Sequence, residues 1–302
     1  MALPLCNSVA SVVKALMEVL PTISAMRSAS RAEHRRGRRL GFVPTMGALH
    51  EGHLSLVRAA KAQSDVVATS IFVNPTQFGP NEDFAKYPRS FERDCELLKK
   101  EGVDFLFAPS VDEMYPEGAI TYVTVENMSD KLCGKSRPGH FRGVTTVVSK
   151  LLHIVEPDVA FFGQKDAAQL ALIRRMVRDQ NLPVEIVACP IVREPDGLAM
   201  SSRNAYLDPQ QRKSALVLSR ALKEVELKFT TGEQNAEQLI ASGKAIFAAE
   251  PGARLDYLEI VEPDTLGPIA KVTGPALVAV AAFVGTTRLI DNVVLLHKPP
   301  RA

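Results

Sequence analysis

Two histidines three residues apart, His50 and His53, stand where a short apolar run gives way to an amphipathic segment. The run Leu40–Val43 has the composition of a buried strand, and apolar residues at helical spacing follow from Leu54. A helix N-terminus presents free backbone N–H groups to an anion, and two glycines in this stretch allow close approach of the backbone. The segment therefore predicts an anion site in which both imidazoles donate to phosphate oxygens.

Two other interpretations of this histidine pair stay open from the residues alone. His-x-x-His can be half of a zinc site, although the sequence has no His-Glu-x-x-His spacing and no cysteine nearby. It can also be a structural turn with incidental histidines, since surface histidines are common. The combination of strand, glycines and helix start favours phosphate binding over both.

Further polar residues follow other apolar runs. Gln77 lies just past the run Val66–Val73. Its amide can both donate and accept hydrogen bonds, which suits a hydroxy-acid substrate. The alternative is that Gln77 is a solvent-facing loop residue. Lys165 and Asp166 follow Val159–Phe162. The lysine can reach a phosphate, and the aspartate can cap a helix or bind a ribose. An exposed ion pair is the alternative for these two residues.

The elements that must position these side chains alternate between strands and helices. Strand-like runs are found at 40–43, 66–73, 103–108, 159–162 and 184–188. The clearest helix has an apolar stripe from Val144 to Val155, and a helical lead over Val12–Met26 precedes the first strand. This order predicts an α/β fold with a doubly wound, mostly parallel, Rossmann-like sheet. Ligands of such sheets bind beyond the carboxyl ends of the strands, where the polar residues fall.

The pattern changes after residue 190. The turn-rich stretch Arg193–Gly197 predicts a hinge, and Ser201, Ser202 and Arg203 behind it offer two hydroxyls and a guanidinium for a phosphate clamp. Asp208 supplies an N-cap for a long helix, and a second helix follows. Strand-like runs come last, at 255–261, 276–284 and 288–296. We therefore predict a catalytic domain over 1–191 and a smaller α+β domain over 192–302 that closes as a lid.

Composition restricts the class of protein and of partner. The chain has 302 residues with a net charge of +2, which gives no case for nucleic-acid or membrane binding. Its four cysteines form no CxxC pair and fit a reducing compartment. The longest apolar stretch, Ala276–Val284, is about half of what a membrane-spanning helix needs. Arginines clustered between 31 and 39 are interpreted as a solvated helix end. We expect a cytoplasmic protein.

The stretch 44–53, PTMGALHEGH, resembles the His-x-Gly-His signature of the nucleotidyltransferase superfamily, which includes class I aminoacyl-tRNA synthetases. As a longer string it resembles the version found in the pantothenate synthetase family. Five other segments of that family follow in order: IFVNPTQF at 71–78, RPGHFRGVTTV at 137–147, FGQKD at 162–166, DGLAMSSRN at 196–204 and GTTRLIDN at 285–292. The resemblance covers about residues 38 to 294, nearly the whole chain.

This resemblance implies an ATP-dependent ligase that joins pantoate to β-alanine through a pantoyl-adenylate, releasing AMP and pyrophosphate. It implies a homodimer formed through the larger domain, with ATP and Mg²⁺ required. It assigns charge stabilisation to His50, His53, Lys165 and Arg203, and pantoate binding to Gln77 and Gln169. The implied ATP-binding residues are Pro44, Thr45, Met46, His50, Gly52, His53, Gly163, Lys165, Asp166, Val192, Met200, Ser201, Ser202 and Arg203.

The implied metal ligand is less well defined. The family places acidic residues near Asp94 that help to hold Mg²⁺, but Arg93 interrupts them here. A solvated helix face is the alternative for Asp94, in which case ATP phosphates and water hold the ion.

Three other functions share parts of the pattern. An enzyme that makes a dinucleotide cofactor would use the same histidines, but it would need extra basic residues and would not explain Gln77 with Gln169. A tRNA synthetase would need anticodon- and acceptor-binding surfaces that neither the length nor the charge indicates. A silent nucleotide-binding protein would be expected to have lost some of His50, His53, Lys165 and Arg203.

Overall fold

The computed structural model describes residues 17–80 and 82–296. Its larger part is a six-stranded sheet in the order β1-β4-β3-β2-β5-β6, in which every pairing is parallel. The strands are β1 Glu18–Leu20, β2 Leu40–Thr45, β3 Val66–Ile71, β4 Phe105–Phe107, β5 Val159–Gly163 and β6 Glu185–Cys189. The central strands are nearly continuous apolar runs because helices cover both faces of the sheet.

Helices on the two faces enclose two separate cores. The helices of this part are α1 Ile23–Arg35, α2 Glu51–Gln63, α3 Phe91–Glu101, α4 Val111–Met114, α5 Cys133–Ser136, α6 His140–Val155 and α7 Ala167–Asp179. Helices α1, α6 and α7 pack on one face, and α2 and α3 pack on the other. The chain runs from β2 outward to β3 and β4, then returns to the other side of β2 for β5. This reversal creates a crevice at the carboxyl ends of β2 and β5, where ligands of open α/β sheets bind.

The C-terminal part is a three-stranded antiparallel sheet covered by helices. It contains α8 Pro209–Ala215, α9 Val217–Thr230, α10 Ala236–Ala248, β7 Ala253–Val261, β8 Ala276–Val284 and β9 Thr287–Leu295. One face of the sheet packs against these helices. The other face contributes Val261, Leu277 and Ala279 to the main core of the α/β part. An apolar interface therefore joins the two parts and fixes the position of the C-terminal sheet beside the crevice.

The predicted fold class is confirmed, and the predicted strands are present with small shifts at their ends. The predicted helical lead is confirmed at Ile23–Met26, which begin α1, and is wrong before them, because residues 18–20 form strand β1 and Thr22 is the N-cap. Residues 12–16 of the predicted lead lie outside the described residues. The long helix after Asp208 is interrupted at Leu216 and forms α8 and α9. The exact domain bounds and the lid closure stay predictions.

The arginine cluster is confirmed as a solvated helix end. Helix α1 ends at Arg35, and the exposed guanidinium groups of Arg31 and Arg39 pair with Glu156 and Glu185. Within the ranges 17–80 and 82–296, no helix is both long and apolar enough to cross a membrane.

Candidate active site

A cleft of about 880 Å³ lies between the carboxyl ends of the parallel strands and the C-terminal sheet. Five stretches of the chain contribute to its lining, within 82–86, 132–141, 165–169, 198–211 and 286–292. The first three belong to the α/β part, and the last two belong to the linker and the C-terminal part. The cleft therefore brings together several segments that the sequence marks as functional.

The loop after β2 is held by a buried carboxylate. Gly47 and Ala48 both have positive φ, at 79° and 50°. Asp94 in α3 is 1% exposed, and its two oxygens accept the backbone N–H groups of Ala48 (2.8 Å) and Leu49 (2.9 Å). Thr45 closes the loop by accepting from the Gly47 N–H at 3.1 Å. Asp94 thus shapes the turn that leads into α2, and its assignment as a magnesium ligand stays a prediction.

The two histidines begin α2 and share one hydrogen-bonding pattern. His50 Nδ1 accepts from the Gly52 N–H (3.1 Å), and His53 Nδ1 accepts from the His50 N–H (3.3 Å). These bonds assign the ring proton of each neutral imidazole to Nε2. A Cβ on residue 52 would lie 2.9 Å from the His50 ring, so this packing requires glycine. Each ring is left with one N–H donor, as phosphate binding needs.

Burial and a nearby cation keep both imidazoles uncharged. Burial, followed by the charge of Lys165, lowers the pKa of His50 from 6.5 to about 4. Burial, with His50 and Lys165 as further causes, lowers the pKa of His53 to about 3. The two ring centroids are 4.1 Å apart. At neutral pH the pair therefore acts as two neutral donors, while Lys165 brings positive charge to the same place.

Lys165 and Asp166 lie in a 3₁₀ turn, Gln164–Asp166, between β5 and α7. Asp166 occupies the N-cap position of α7 but makes no side-chain capping hydrogen bond, so the alternative role as a helix cap is wrong. Lys165, Asp166 and Gln169 all line the cleft. A Cβ on Gly163 would meet no atom within 4 Å, which indicates open space beside the turn. A lysine, a carboxylate and an amide are thus presented together.

Arg203 also lines the cleft and lies in the 3₁₀ turn Ser202–Tyr206. Its guanidinium makes two hydrogen bonds of 3.0 Å to Asp83, and Ser201 Oγ accepts from the Arg203 backbone N–H at 3.3 Å. Burial opposes the charge of Arg203, but Asp83 outweighs it and raises the pKa. The same ion pair lowers the pKa of Asp83 against the effect of its burial. A fixed cation is therefore present at this wall of the cleft.

Gln77 is buried, with 9% of its surface exposed, so the solvent-facing alternative is wrong. It lies in the 3₁₀ turn Pro75–Gln77 after β3. Its Oε1 accepts from Asn74 Nδ2 (3.1 Å), and its Nε2 contacts the sulfur of Met46 (3.0 Å). A thioether is a weak acceptor, so the amide N–H₂ retains donor capacity for a substrate.

The sequence reasoning gave no role to Arg137 and His140, although both lie in the quoted segment 137–147. Arg137 donates to Glu82 and, at 2.9 Å, to His140 Nε2. His140 Nδ1 then donates to the Gln77 carbonyl at 2.8 Å. Burial, together with the Arg137 charge, lowers the pKa of His140 to about 4, so this ring is also neutral. The two residues fix the backbone that carries Gln77 and line the cleft.

The remaining predicted ATP-binding residues surround the ends of three strands. Pro44 and Thr45 end β2, Gly163 ends β5, and Met46 follows β2 directly. Met200 donates its backbone N–H to the Val192 carbonyl at 3.0 Å, which draws the Ser201–Arg203 stretch toward the end of β6. Among the residues that the structure describes, no group of three or more His, Cys, Asp or Glu side chains is placed to hold a metal ion. The zinc interpretation of His50 and His53 therefore finds no completing ligand there.

Comparison with known proteins decides the family. The family model for pantoate-beta-alanine ligase matches residues 18–294. The chain belongs to the pantoate–β-alanine ligase family. It is 63% identical over 279 residues to a pantothenate synthetase of Koribacter versatilis, covering 92% of this chain and 96% of that one. A pantothenate synthetase of Thermoanaerobacter sp. is 57% identical over 276 residues, covering 91% and 98%.

Solved structures agree with this family assignment. The pantothenate synthetase of Thermus thermophilus is 48% identical with a TM-score of 0.87, covering 92% of this chain and 99% of that one. The pantoate-beta-alanine ligase of Francisella tularensis, complexed with Beta-gamma ATP and Beta-alanine, is 36% identical with a TM-score of 0.76, covering 92% and 97%. The family and the ligase activity predicted from the sequence are confirmed: the enzyme condenses pantoate with β-alanine in an ATP-dependent reaction. The dinucleotide-forming, tRNA synthetase and silent-binding alternatives are set aside.

Proposed function

We propose that this pantoate–β-alanine ligase works in two half-reactions within the cleft. In the first, a carboxylate oxygen of pantoate attacks the α-phosphorus of Mg·ATP; the bond from that phosphorus to the bridging oxygen breaks, and pyrophosphate leaves with the electron pair. In the second, the amine of β-alanine attacks the acyl carbon, AMP leaves, and the amine gives up its proton. Both steps depend on positioning and on compensation of negative charge.

The observation that carries this proposal is the state of His50 and His53. Each Nδ1 accepts a backbone N–H, and each pKa lies far below neutrality, so two Nε2–H donors stand at the start of α2 close to Lys165. Hydrogen-bond donors fixed before the reaction stabilise developing charge without reorganising. In this proposal the imidazoles donate to phosphate oxygens while Lys165 and Arg203 supply positive charge.

The other roles follow from the chemistry of the lining residues Asp166, Gln169 and Ser201, and of Gln77 and Ser202, which adjoin lining residues. Gln77 and Gln169 bind pantoate through their amides, and Asp166 accepts from the ribose, since it does not cap α7. Ser201 and Ser202 donate hydroxyl hydrogen bonds to the phosphates. Mg²⁺ enters with ATP as part of the substrate, held mainly by phosphate oxygens and water. The homodimer, the cytoplasmic location and lid closure by the C-terminal domain stay predictions.

The test is the first half-reaction alone. Purified enzyme with Mg·ATP and pantoate, but no β-alanine, is expected to release pyrophosphate and to accumulate a pantoyl-adenylate detectable by mass spectrometry. His50→Ala and His53→Ala should each lose roughly 2–4 kcal/mol of transition-state stabilisation, about 30- to 1,000-fold in rate. His153→Ala, an exposed position in α6, is the matched control. Folded enzyme that binds ATP but releases no pyrophosphate with pantoate would refute the adenylate mechanism.

A further inference from the structure

The family-like segment 285–292 contributes no residue to the proposed mechanism. It forms the β8–β9 turn and the first half of β9. Side chains of β9 alternate between the two faces of the C-terminal sheet. Ile290 and Val294 pack against the core of the α/β part, whereas Leu289 and Leu295 face the C-terminal helices. Asn292 shares the first face and therefore points at the α/β part.

Asn292 uses its whole side-chain amide on the turn that carries Lys165. It is 3% exposed. Its Nδ2 donates to two consecutive carbonyls, those of Gln164 (2.9 Å) and Lys165 (2.9 Å), and its Oδ1 accepts from Gln164 Nε2 at 3.3 Å. The geometry of a three-residue 3₁₀ turn is only weakly defined by its own hydrogen bonds. A buried clamp on two successive peptide units therefore fixes the backbone from which the lysine side chain projects.

The neighbouring residue holds the other phosphate-binding segment. Asp291, also 3% exposed, accepts two hydrogen bonds from Arg193, at 2.6 and 3.0 Å. Arg193 Nη1 also donates to the Gly197 carbonyl at 3.1 Å, within the hairpin that leads to Ser201–Arg203. Two adjacent residues of one strand thus reach both segments that carry the proposed phosphate-binding cations.

We propose that Asn292 is a positioning residue for Lys165, holding the 164–166 turn so that the ammonium group meets the triphosphate beside His50 and His53. This rests on the proposed role of Lys165 in the adenylation step. Asn292 itself has no titratable group to offer the reaction; it acts through the two carbonyls. Loss of the clamp removes the Asn292 donor from the carbonyls of Gln164 and Lys165 and lets the turn relax. Displacements of about 1 Å can lower rates about 100-fold.

The experiment is a double-mutant cycle on single-turnover pyrophosphate release, with full-length enzyme in excess over Mg·ATP and pantoate saturating. Asn292→Ala removes the clamp, and Asn292→Asp keeps the shape of the side chain while replacing its N–H₂ donors by an acceptor. Val294→Ala is the matched control, because it shortens a side chain on the same strand and the same face without removing a hydrogen bond to the turn. Near-UV circular dichroism and thermal unfolding confirm that each variant is folded.

The expected result is a loss of about 100-fold for both Asn292 variants in a Lys165-containing enzyme. In the Lys165→Ala background the same change should lower the rate by less than about threefold, and Val294→Ala should stay within about threefold of the parent enzyme. A folded Asn292 variant within about threefold of the parent, or an equal loss in both backgrounds, would overturn the positioning role of Asn292. Either outcome would leave the proposed role of Lys165 intact. A Lys165→Ala enzyme with parental rates would overturn the assigned role of Lys165, and this proposal with it.

Discussion

Gly143→Ala is the substitution that most directly tests the proposed pantoate-binding role of Gln77. Gly143 lies in α6, where an added Cβ would be 2.3 Å from the Thr76 carbonyl oxygen and 2.7 Å from the Gln77 Cα. Ordinary contact begins at 3.4 Å, so the helix and the 75–77 turn must separate by about 1 Å. We expect the three-residue turn to move, because the sixteen-residue buried helix is harder to displace. The Gly143 carbonyl also accepts from Asn74 Nδ2 at 3.1 Å, which orients the Gln77 amide, so both groups are displaced together.

The expected result is a fall in kcat/KM for pantoate of about 100-fold, with KM for ATP much less affected. The free energy of unfolding should fall by about 1–3 kcal/mol because of overpacking. The higher helix propensity of alanine should offset up to about 1 kcal/mol of this loss. The assay is steady-state pyrophosphate release with each substrate varied, alongside urea unfolding. Gly243→Ala is the matched control, since its Cβ would meet Leu258 at 2.7 Å within the C-terminal core. Parental pantoate kinetics in folded Gly143→Ala would refute the reasoning.

Three further predictions concern charge. Asp94→Asn should lower the unfolding free energy by about 1–3 kcal/mol, because one acceptor for the loop amides is lost. An unchanged magnesium dependence of the rate would support this structural role. A large rise in the magnesium concentration required would instead support a role as a metal ligand. His53 has a pKa of about 3 in the folded chain but 6.5 ordinarily, so the unfolded chain binds the extra proton and stability falls as pH drops from about 6.5 toward 3. His53→Gln should make urea unfolding less pH-dependent in that window, and an identical profile would contradict the assigned burial. Arg193→Ala leaves the buried Asp291 carboxylate unpaired and should cost about 3–5 kcal/mol in thermal and urea unfolding. Adding Asp291→Asn should recover part of the lost unfolding free energy. No recovery would show that the unpaired Asp291 charge does not cause the loss.

The sequence was sufficient for the central strands because burial on both faces leaves a recognisable apolar run. Val66–Ile71 and Val159–Gly163 are of this kind and were predicted within a few residues. Strand β1 was missed because it is a three-residue edge strand with two exposed side chains, too short to show a period. The interruption at Leu216 was missed because an apolar residue with helical backbone angles gives no breaker signal.

The location of His50, Gln77 and Lys165 was predictable because each comes within a few residues of a strand end, and the carboxyl ends of parallel strands meet at one edge. The site was not predictable where a contact crosses between distant segments. Asp83 reaches Arg203, and Asn292 reaches the turn before α7 from 127 and 128 residues away. No local period or spacing relates such residues, so only the folded chain brings them together.

The state of the histidines determines how the enzyme must handle the charge of the triphosphate. Two protonated imidazoles with centroids 4.1 Å apart would repel each other and Lys165, and burial adds to that penalty. The fold removes the problem by giving each Nδ1 a backbone donor, so each ring is neutral and keeps one N–H. Fixed positive charge must then come from Lys165 and Arg203, which both line the cleft. Asn292 holds the turn that carries Lys165, and Asp83 holds the Arg203 guanidinium. Neither contact involves the histidine loop, so the placement of positive charge depends on contacts between the α/β part and the rest of the chain.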